Sequence, residues 1–168
     1  LSMRADDDGF INNPKKIQEH IALMEKSSEN MLELINNILD MSRIESGATV
    51  LESEPFSVEE LCEEVVAIHR PQGTLKGIVL TKEFNLIHKT YLGDHLRIKQ
   101  ILSNLASNAV KYTTDRGKVE VKVFSKPVGD SDFELITFVI KDSGIGMSKE
   151  FLETIFVPFA RERNTTMS

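Results

Sequence analysis

Asn104, Asn108 and Lys111 have the types and spacing to handle phosphate. On a helix, offsets of four and three place them on one face, leaving Ile101, Leu102, Leu105 and Ala109 to face a sheet. A carboxamide oxygen can ligate Mg²⁺, its NH₂ can donate to phosphate oxygens, and lysine supplies compensating charge, so this face can hold a polyphosphate. An ordinary solvated helix face would carry the same pattern. A second candidate is Asp142-Ser143-Gly144-Ile145-Gly146-Met147, directly after the apolar run Leu135 to Lys141. Glycines one residue apart permit a tight turn and close approach to a ligand. An Asp at a strand end can accept a hydrogen bond from an exocyclic amine, so a purine could dock there. The alternative is a plain strand-to-helix turn with Asp as its local cap. The third is Ile155-Phe156-Val157-Pro158-Phe159-Ala160-Arg161-Glu162-Arg163, an aromatic pair around a proline followed by two cations, which also suits a helix ending on two core phenylalanines.

These segments need elements to hold them. From Ile17, the residues Ile21, Met24, Ser28, Met31, Ile35, Ile38 and Ser42 follow at alternating spacings of four and three, the seam of a helix packed lengthwise on others. Leu32, Leu34, Leu39 and Met41 widen that face beyond a two-stranded seam, as in a bundle. Pro14 suits the first turn and Gly47 the end. Gly47 to Pro55 reads as a linker. Ser57 and Glu60 form a capping box for a helix to about His69, with Pro71 and Gly73 as its stop. Ile78 to Phe84 and Thr90 to Leu92 are predicted strands, and Asp94 caps a long helix to about Thr113. Val119, Val121 and Val123 give a strand with one wet face, Leu135 to Lys141 a denser apolar one, and Ser148 opens a last helix over Lys149 to Ile155. The order predicts an α+β chain: a long helix, then a sandwich with helices on one face of a mixed, mostly antiparallel sheet.

Composition narrows the class. With 40% apolar residues and a net charge of −6, the 168 residues form a globular chain with no bulk attraction for nucleic acid or anionic lipid. No stretch approaches the ~18–20 apolar residues of a membrane helix, and no signal peptide is visible. The single cysteine, Cys62, has no internal disulfide partner and fits a reducing compartment, so a cytoplasmic location is expected.

The order of the three segments resembles the catalytic domain of sensor histidine kinases, in the superfamily shared with gyrase, the heat-shock chaperone and the mismatch-repair ATPases. Arg97 to Thr113 looks like the N box, Asp142 to Met147 like the G1 box with its D-x-G-x-G, and Ile155 to Arg163 like the F box. Leu39 to Gly47 looks like the end of the second dimerisation helix. The resemblance implies that Asn104 and Asn108 hold Mg²⁺ and phosphate, Lys111 contacts phosphate, Tyr112 borders the adenine and Asp142 reads its amino group. It implies that Gly144, Ile145, Gly146 and Met147 line the pocket and that the segment after Phe156 and Phe159 is a mobile lid carrying Arg161 and Arg163 toward the γ-phosphate. ATP-hydrolysing relatives place a Glu four residues before the metal-binding Asn as general base; Asn104 stands there, and an amide cannot take that proton. Phosphoryl transfer to a histidine, with relay to a response-regulator aspartate, is therefore the expectation.

The chain departs from the family pattern at both ends. None of His20, His69, His88 and His95 has the phosphoacceptor context, and Ser168 precedes the second Gly-rich box. The expected organisation is a remnant of the dimerisation and phosphotransfer domain over 1–47, a linker over 48–55 and an incomplete ATP-binding domain over 56–168. Leu1 to Asp8 would be the tail of a preceding helix and Gly9 to Asn13 the turn. Such a fragment is not expected to phosphorylate itself. The expected partners are a second copy, through the 17–44 helix, and a response regulator in the intact protein, which could be membrane-anchored although this stretch is not. The rival readings are a non-catalytic interaction scaffold and an ATP hydrolase of the same superfamily.

Overall fold

The computed structural model describes residues 13–47, 50–158, 160 and 162, apart from the side chains of residues 29, 30, 33, 37 and 44. The readings placed on residues 1–12 and on Phe159, Arg161, Arg163 and Ser168 lie outside the described residues. The chain divides into two units, Leu1–Val50 and Leu51–Ser168.

In the first unit one helix, α1, spans Pro14–Glu45. Asn13 caps it: its side-chain oxygen accepts from the N–H groups of Lys15 (3.2 Å) and Lys16 (3.3 Å), and Pro14 opens the first turn, where its missing N–H costs nothing. The seam residues Ile21, Met24, Met31, Ile35 and Ile38 are exposed, as are Leu32, Leu34 and Leu39 on the flank.

The second unit runs β1 (Glu54–Ser57), α2 (Val58–Leu75), β2 (Val79–Asn85), β3 (Thr90–Gly93), α3 (His95–Tyr112), β4 (Lys118–Pro127), β5 (Glu134–Asp142) and α4 (Lys149–Leu152). β4 is central to a three-stranded sheet, parallel to β2 and antiparallel to β5, and β1 pairs antiparallel with β3 in a separate ribbon. β1 starts inside the stretch read as linker. Its four residues have no alternating pattern and become a strand by pairing with Thr90 to Gly93.

Val119, Val121 and Val123 are buried on one face of β4, each burial worth about 1.5–3 kcal/mol. α2 covers that face with Val58, Leu61, Cys62 and Val65, and α3 with Leu102, Ala106, Ala109 and Val110. Burial pushes the Cys62 thiol up to about 11, so it packs as a small apolar group rather than a nucleophile. The other face is wet. Glu83 and Lys122 are cross-strand partners and form an ion pair (2.9 Å), as do Lys118 and Glu120 (2.6 Å) along β4.

Three local readings are corrected. α2 does not stop at Pro71 but runs through it to Leu75, because Pro71 removes only one donor, whereas Gly77, at φ +65°, supplies a true stop. Ile78 N–H donates to Gly73 O (2.9 Å) and Gly77 N–H to Thr74 O (2.9 Å), the paired bonds of a Schellman motif. On α3, Leu102 is buried but Ile101 (59% exposed) and Leu105 (49%) are not: the inward stripe is 102, 106, 109 and 110, with Ile101 and Leu105 on the flank beside Asn104 and Asn108. α4 is four residues long rather than seven. Thr154 folds back on Phe151 O through its N–H (2.9 Å) and hydroxyl (3.1 Å), and Pro158 disfavours helix at Val157.

Candidate functional site

α3 positions the first group. Asp94 caps its start, accepting from Arg97 N–H (3.0 Å) with one carboxylate oxygen and from Glu52 N–H (3.2 Å) with the other. The Arg97 bond foremost, then that from Glu52, holds its carboxyl below the usual range. The helix is unbroken from His95 to Tyr112, so Asn104, Asn108 and Lys111 share the face opposite the buried stripe, and all three are exposed. Lys111 Nζ lies 5.2 Å from the centre of the Tyr112 ring, which holds its charge at the end of the helix.

β5 positions the second group. Asp142, its last residue, pairs with Val119. Side chains alternate along a strand, so Asp142 projects to the same side as Ile140, Phe138 and Ile136, the side that α3 covers. Gly144 N–H donates to Asp142 Oδ1 (2.9 Å), the local cap expected as the alternative. A carboxylate has about four acceptor positions, so this bond leaves capacity for a ligand.

The two groups meet through backbone. Ile145 N–H donates to Tyr112 O (3.3 Å), and a Cβ on Gly144 would come within 2.4 Å of the same oxygen. Only glycine lets the loop sit this close to the end of α3. Gly146 has a different reason, a left-handed φ of +70°. Ser143 locks the near side: its N–H donates to Lys118 O (3.0 Å) and its hydroxyl accepts from Lys118 N–H (2.8 Å).

Tyr112, Asp142, Gly144, Ile145 and Gly146 thus belong to one end of the sandwich; Lys111 and Asn108 lie on the last turns of α3 that lead to it, Asn104 lies mid-helix about 12 Å before it, and Met147 follows the loop, exposed. Phe156 is 96% exposed and is not a core residue, which removes one reading of the third segment. Beyond it the chain returns toward α4, where Ser148 N–H donates to the Glu162 carboxylate (3.1 Å). Sequence reasoning misses the residues that join the groups: Ser143, whose hydroxyl bonds across to β4, and Lys76, whose Nζ donates to the carbonyls of Val110 (3.0 Å), Lys111 (2.7 Å) and Thr113 (3.2 Å). A concavity of about 720 Å³ lies elsewhere, beside Ile87 to Thr90. Glu59, Glu60 and Glu63 line it and would repel phosphate, so we assign it no part in the site.

The chemistry available here is polyphosphate binding by neutral amides and a lysine, next to a carboxylate suited to an amine. No group of three His, Cys, Asp or Glu among the described residues could hold a metal by itself. Neutral amide oxygens are hard donors that suit a magnesium ion carried by phosphate oxygens.

Comparison with known proteins agrees. Residues 93–168 match the family described as histidine kinase-, DNA gyrase B- and HSP90-like ATPase. The sensor histidine kinase GacS of Pseudomonas protegens is 33% identical over 151 residues, covering 88% of this chain and 16% of that kinase. Hybrid signal transduction histidine kinase C of Dictyostelium discoideum is 34% identical over 148 residues, 87% of this chain and 12% of its own. The chain thus spans 12–16% of the length of these relatives. Among solved structures, the nucleotide-free catalytic domain of histidine kinase ThkA superposes with a TM-score of 0.54 at 26% identity, covering 66% of this chain and 72% of that one. Full-length ShkA in complex with AMPPNP gives 0.65 at 25% identity, over 89% of this chain and 29% of that one. Residues 93–168 are a domain of the histidine kinase-, DNA gyrase B- and HSP90-like ATPase family, in a chain that is similar to sensor histidine kinases over 87–88% of its length.

Proposed function

We propose that this chain is the ATP-binding kinase core of a sensor histidine kinase, which in the intact protein passes the γ-phosphoryl of ATP to a histidine for relay to a response-regulator aspartate. The observation that carries the reading is the seating of the Asp142 loop on the end of α3: it sets a carboxylate for the adenine amine beside the helix that bears Asn104, Asn108 and Lys111. Magnesium bound with the nucleotide would supply charge neutralisation. The chain's own residues bind and orient. Asn104 and Asn108 offer amide oxygens to the ion and NH₂ groups to phosphate, Lys111 offsets phosphate charge, Tyr112 borders the base and Asp142 accepts from its amino group. Gly144, Ile145, Gly146 and Met147 form the floor, and Phe156, Phe159, Arg161 and Arg163 belong to a closing segment.

Asn104 decides between transfer and hydrolysis. Its amide takes no proton from water, so the site favours a nucleophile that needs no such base. The exposed apolar seam of α1 supports a homodimer through residues 17–44, and a cytoplasmic location suits an ATP-using domain. No helix among the described residues is long and apolar enough to cross a membrane. The deciding experiment is calorimetry of AMPPNP with the full chain, with and without Mg²⁺, and with Asp142→Asn. Magnesium-dependent binding that Asp142→Asn abolishes supports the reading. Equal binding by both chains refutes the adenine assignment, and steady phosphate release from ATP would point to a hydrolase.

A further inference from the structure

Lys76 ends α2, yet its side chain bonds to α3. The last four carbonyls of α3 have no partner within the helix, and Thr113 and Thr114, not glycine, stand directly after Tyr112 where a glycine would reverse the chain upon them. All four are nevertheless satisfied. Ala109 O accepts from Thr113 N–H (3.0 Å) and from the Thr113 hydroxyl (2.6 Å). Val110 O and Lys111 O accept from Lys76 Nζ at 3.0 and 2.7 Å, and a third ammonium proton goes to Thr113 O at 3.2 Å. Tyr112 O, standing between these, accepts from Ile145 N–H (3.3 Å). The backbone of Lys76 is held as well, since its carbonyl accepts from Arg116 N–H (2.9 Å) in the turn after α3.

We infer that Lys76 is a positioning residue for the proposed nucleotide site: its ammonium fixes the carbonyl frame on which the Asp142–Gly146 loop is seated, and so sets where Asp142 stands relative to Asn104, Asn108 and Lys111. The charge suits the place, because a cation at a helix C-terminus meets the negative end of the helix dipole. Three donors on one ammonium match three carbonyls, which no neutral side chain of this length can do. Without them two carbonyls of the last turn must find water, the turn frays, and Tyr112 O no longer presents a fixed acceptor to the loop.

The inference rests on the nucleotide reading, and two measurements on the full chain keep the two apart. In the first, amide hydrogen exchange is followed by NMR in Lys76→Met, Lys76→Arg and the unsubstituted chain, without nucleotide. Lys76→Met is expected to quicken exchange at Ile145 at least tenfold while the core amides of Val66 and Val121 keep their rates, and Lys76→Arg is expected to restore most of the protection. Unchanged exchange at Ile145, or a uniform rise at all three amides, overturns the positioning role. Should Lys76→Met not fold, Lys76→Gln, which keeps a donor without the charge, takes its place: selective quickening at Ile145 again supports the role, and unchanged or uniform exchange again overturns it. In the second, Mg·AMPPNP affinity is expected to fall about tenfold in Lys76→Met, as follows when the binding-ready loop is populated about one-tenth of the time. Equal affinity would overturn the link from Lys76 to the site. Absence of binding in the unsubstituted chain would count against the nucleotide reading alone, leaving exchange at Ile145 to judge Lys76.

Discussion

α2 and α3 are both 18 residues long and pack side by side on one sheet, yet they end in different ways. α2 closes on itself: Gly77 turns left-handed, and the N–H groups of Gly77 and Ile78 return to Thr74 and Gly73 within five residues. α3 is closed locally only at Ala109 O, by Thr113; its other last carbonyls are met from elsewhere, by the ammonium of Lys76, 34 and 35 residues before the carbonyls of Val110 and Lys111, and by the amide of Ile145 from the loop after β5. A locally sealed helix end forms whenever the helix forms. A remotely sealed one exists only once β2, β4 and β5 are in register, and that end holds the Asp142 loop of the proposed site. The site is thereby made conditional on the tertiary fold.

The most severe way to break this contrast is Gly144→Ala. A Cβ there would lie 2.4 Å from Tyr112 O and 2.7 Å from Asp142 Oδ1, so backbone must move. We expect a loss of about 3 kcal/mol, the upper range for forced overpacking, read as a lowered urea midpoint at unchanged slope. AMPPNP affinity should fall at least tenfold in the fraction that stays folded, by about the 1.4 kcal/mol per decade that links affinity to free energy. A variant with the original midpoint and affinity would show that the loop is not seated as described. Gly77→Ala is the milder counterpart. It places a side chain at φ +65° with open contacts otherwise, since the nearest atom, Arg116 Cγ, is 3.7 Å away, and should cost about 1–2 kcal/mol. Because that end is sealed locally, affinity per folded molecule should not change. A tenfold loss of affinity in Gly77→Ala would erase the distinction between the two ends.

The same contrast explains what the sequence discloses. Capping at Ser57, Asp94 and Ser148 is legible because each cap is a local event, a side-chain oxygen and an N–H three residues on. The strand of Val119, Val121 and Val123 is legible from alternation, and the single face of Asn104, Asn108 and Lys111 from helical spacing. The end of α2 is misplaced although its signal is present: Pro71 draws the boundary early, while Gly77 is the residue able to adopt the turn. The end of α3 is placed at about Thr113, close to the observed Tyr112, but its sealing by Lys76 has no local signal, because Lys76 has no sequence relation to Val110 that any periodicity reveals. β1 is hidden for the same reason, being a strand by virtue of its partner. Ile101 and Leu105 read as inward only if apolar type is equated with burial, and the sheet selects just one stripe of the helix.

The smallest effect concerns the seam both helices share. His69 Nε2 on α2 and Ser103 Oγ on α3 lie 2.9 Å apart, in a half-buried contact well upstream of both ends. Burial lowers the imidazole pKa below its ordinary 6.5, and the bond with Ser103 opposes this in part. As pH falls, the unfolded chain takes up its proton first, so the stability from neutral His69 is complete above 6.5 and is lost as pH drops from there through the folded value. The carboxylates with lowered pKa values, Asp94, Glu64 and Glu120 among them, lose their contributions only further down, starting from ordinary values of 3.8 to 4.5. The interval from about pH 7.5 to 5.5 therefore isolates histidines, and His69→Gln isolates this one. The melting temperature of the unsubstituted chain should decline across that interval, and the decline should be shallower in His69→Gln. Amide exchange at Ile78 and at Ile145, taken relative to the intrinsic rate, which itself slows as hydroxide is lost, should quicken together as the pH is lowered, because a loosened seam releases both ends alike, whereas Gly144→Ala releases only one. An identical pH slope in both chains would show that His69 does not set the strength of the seam, and quickening confined to Ile145 would mean that the seam serves α3 alone.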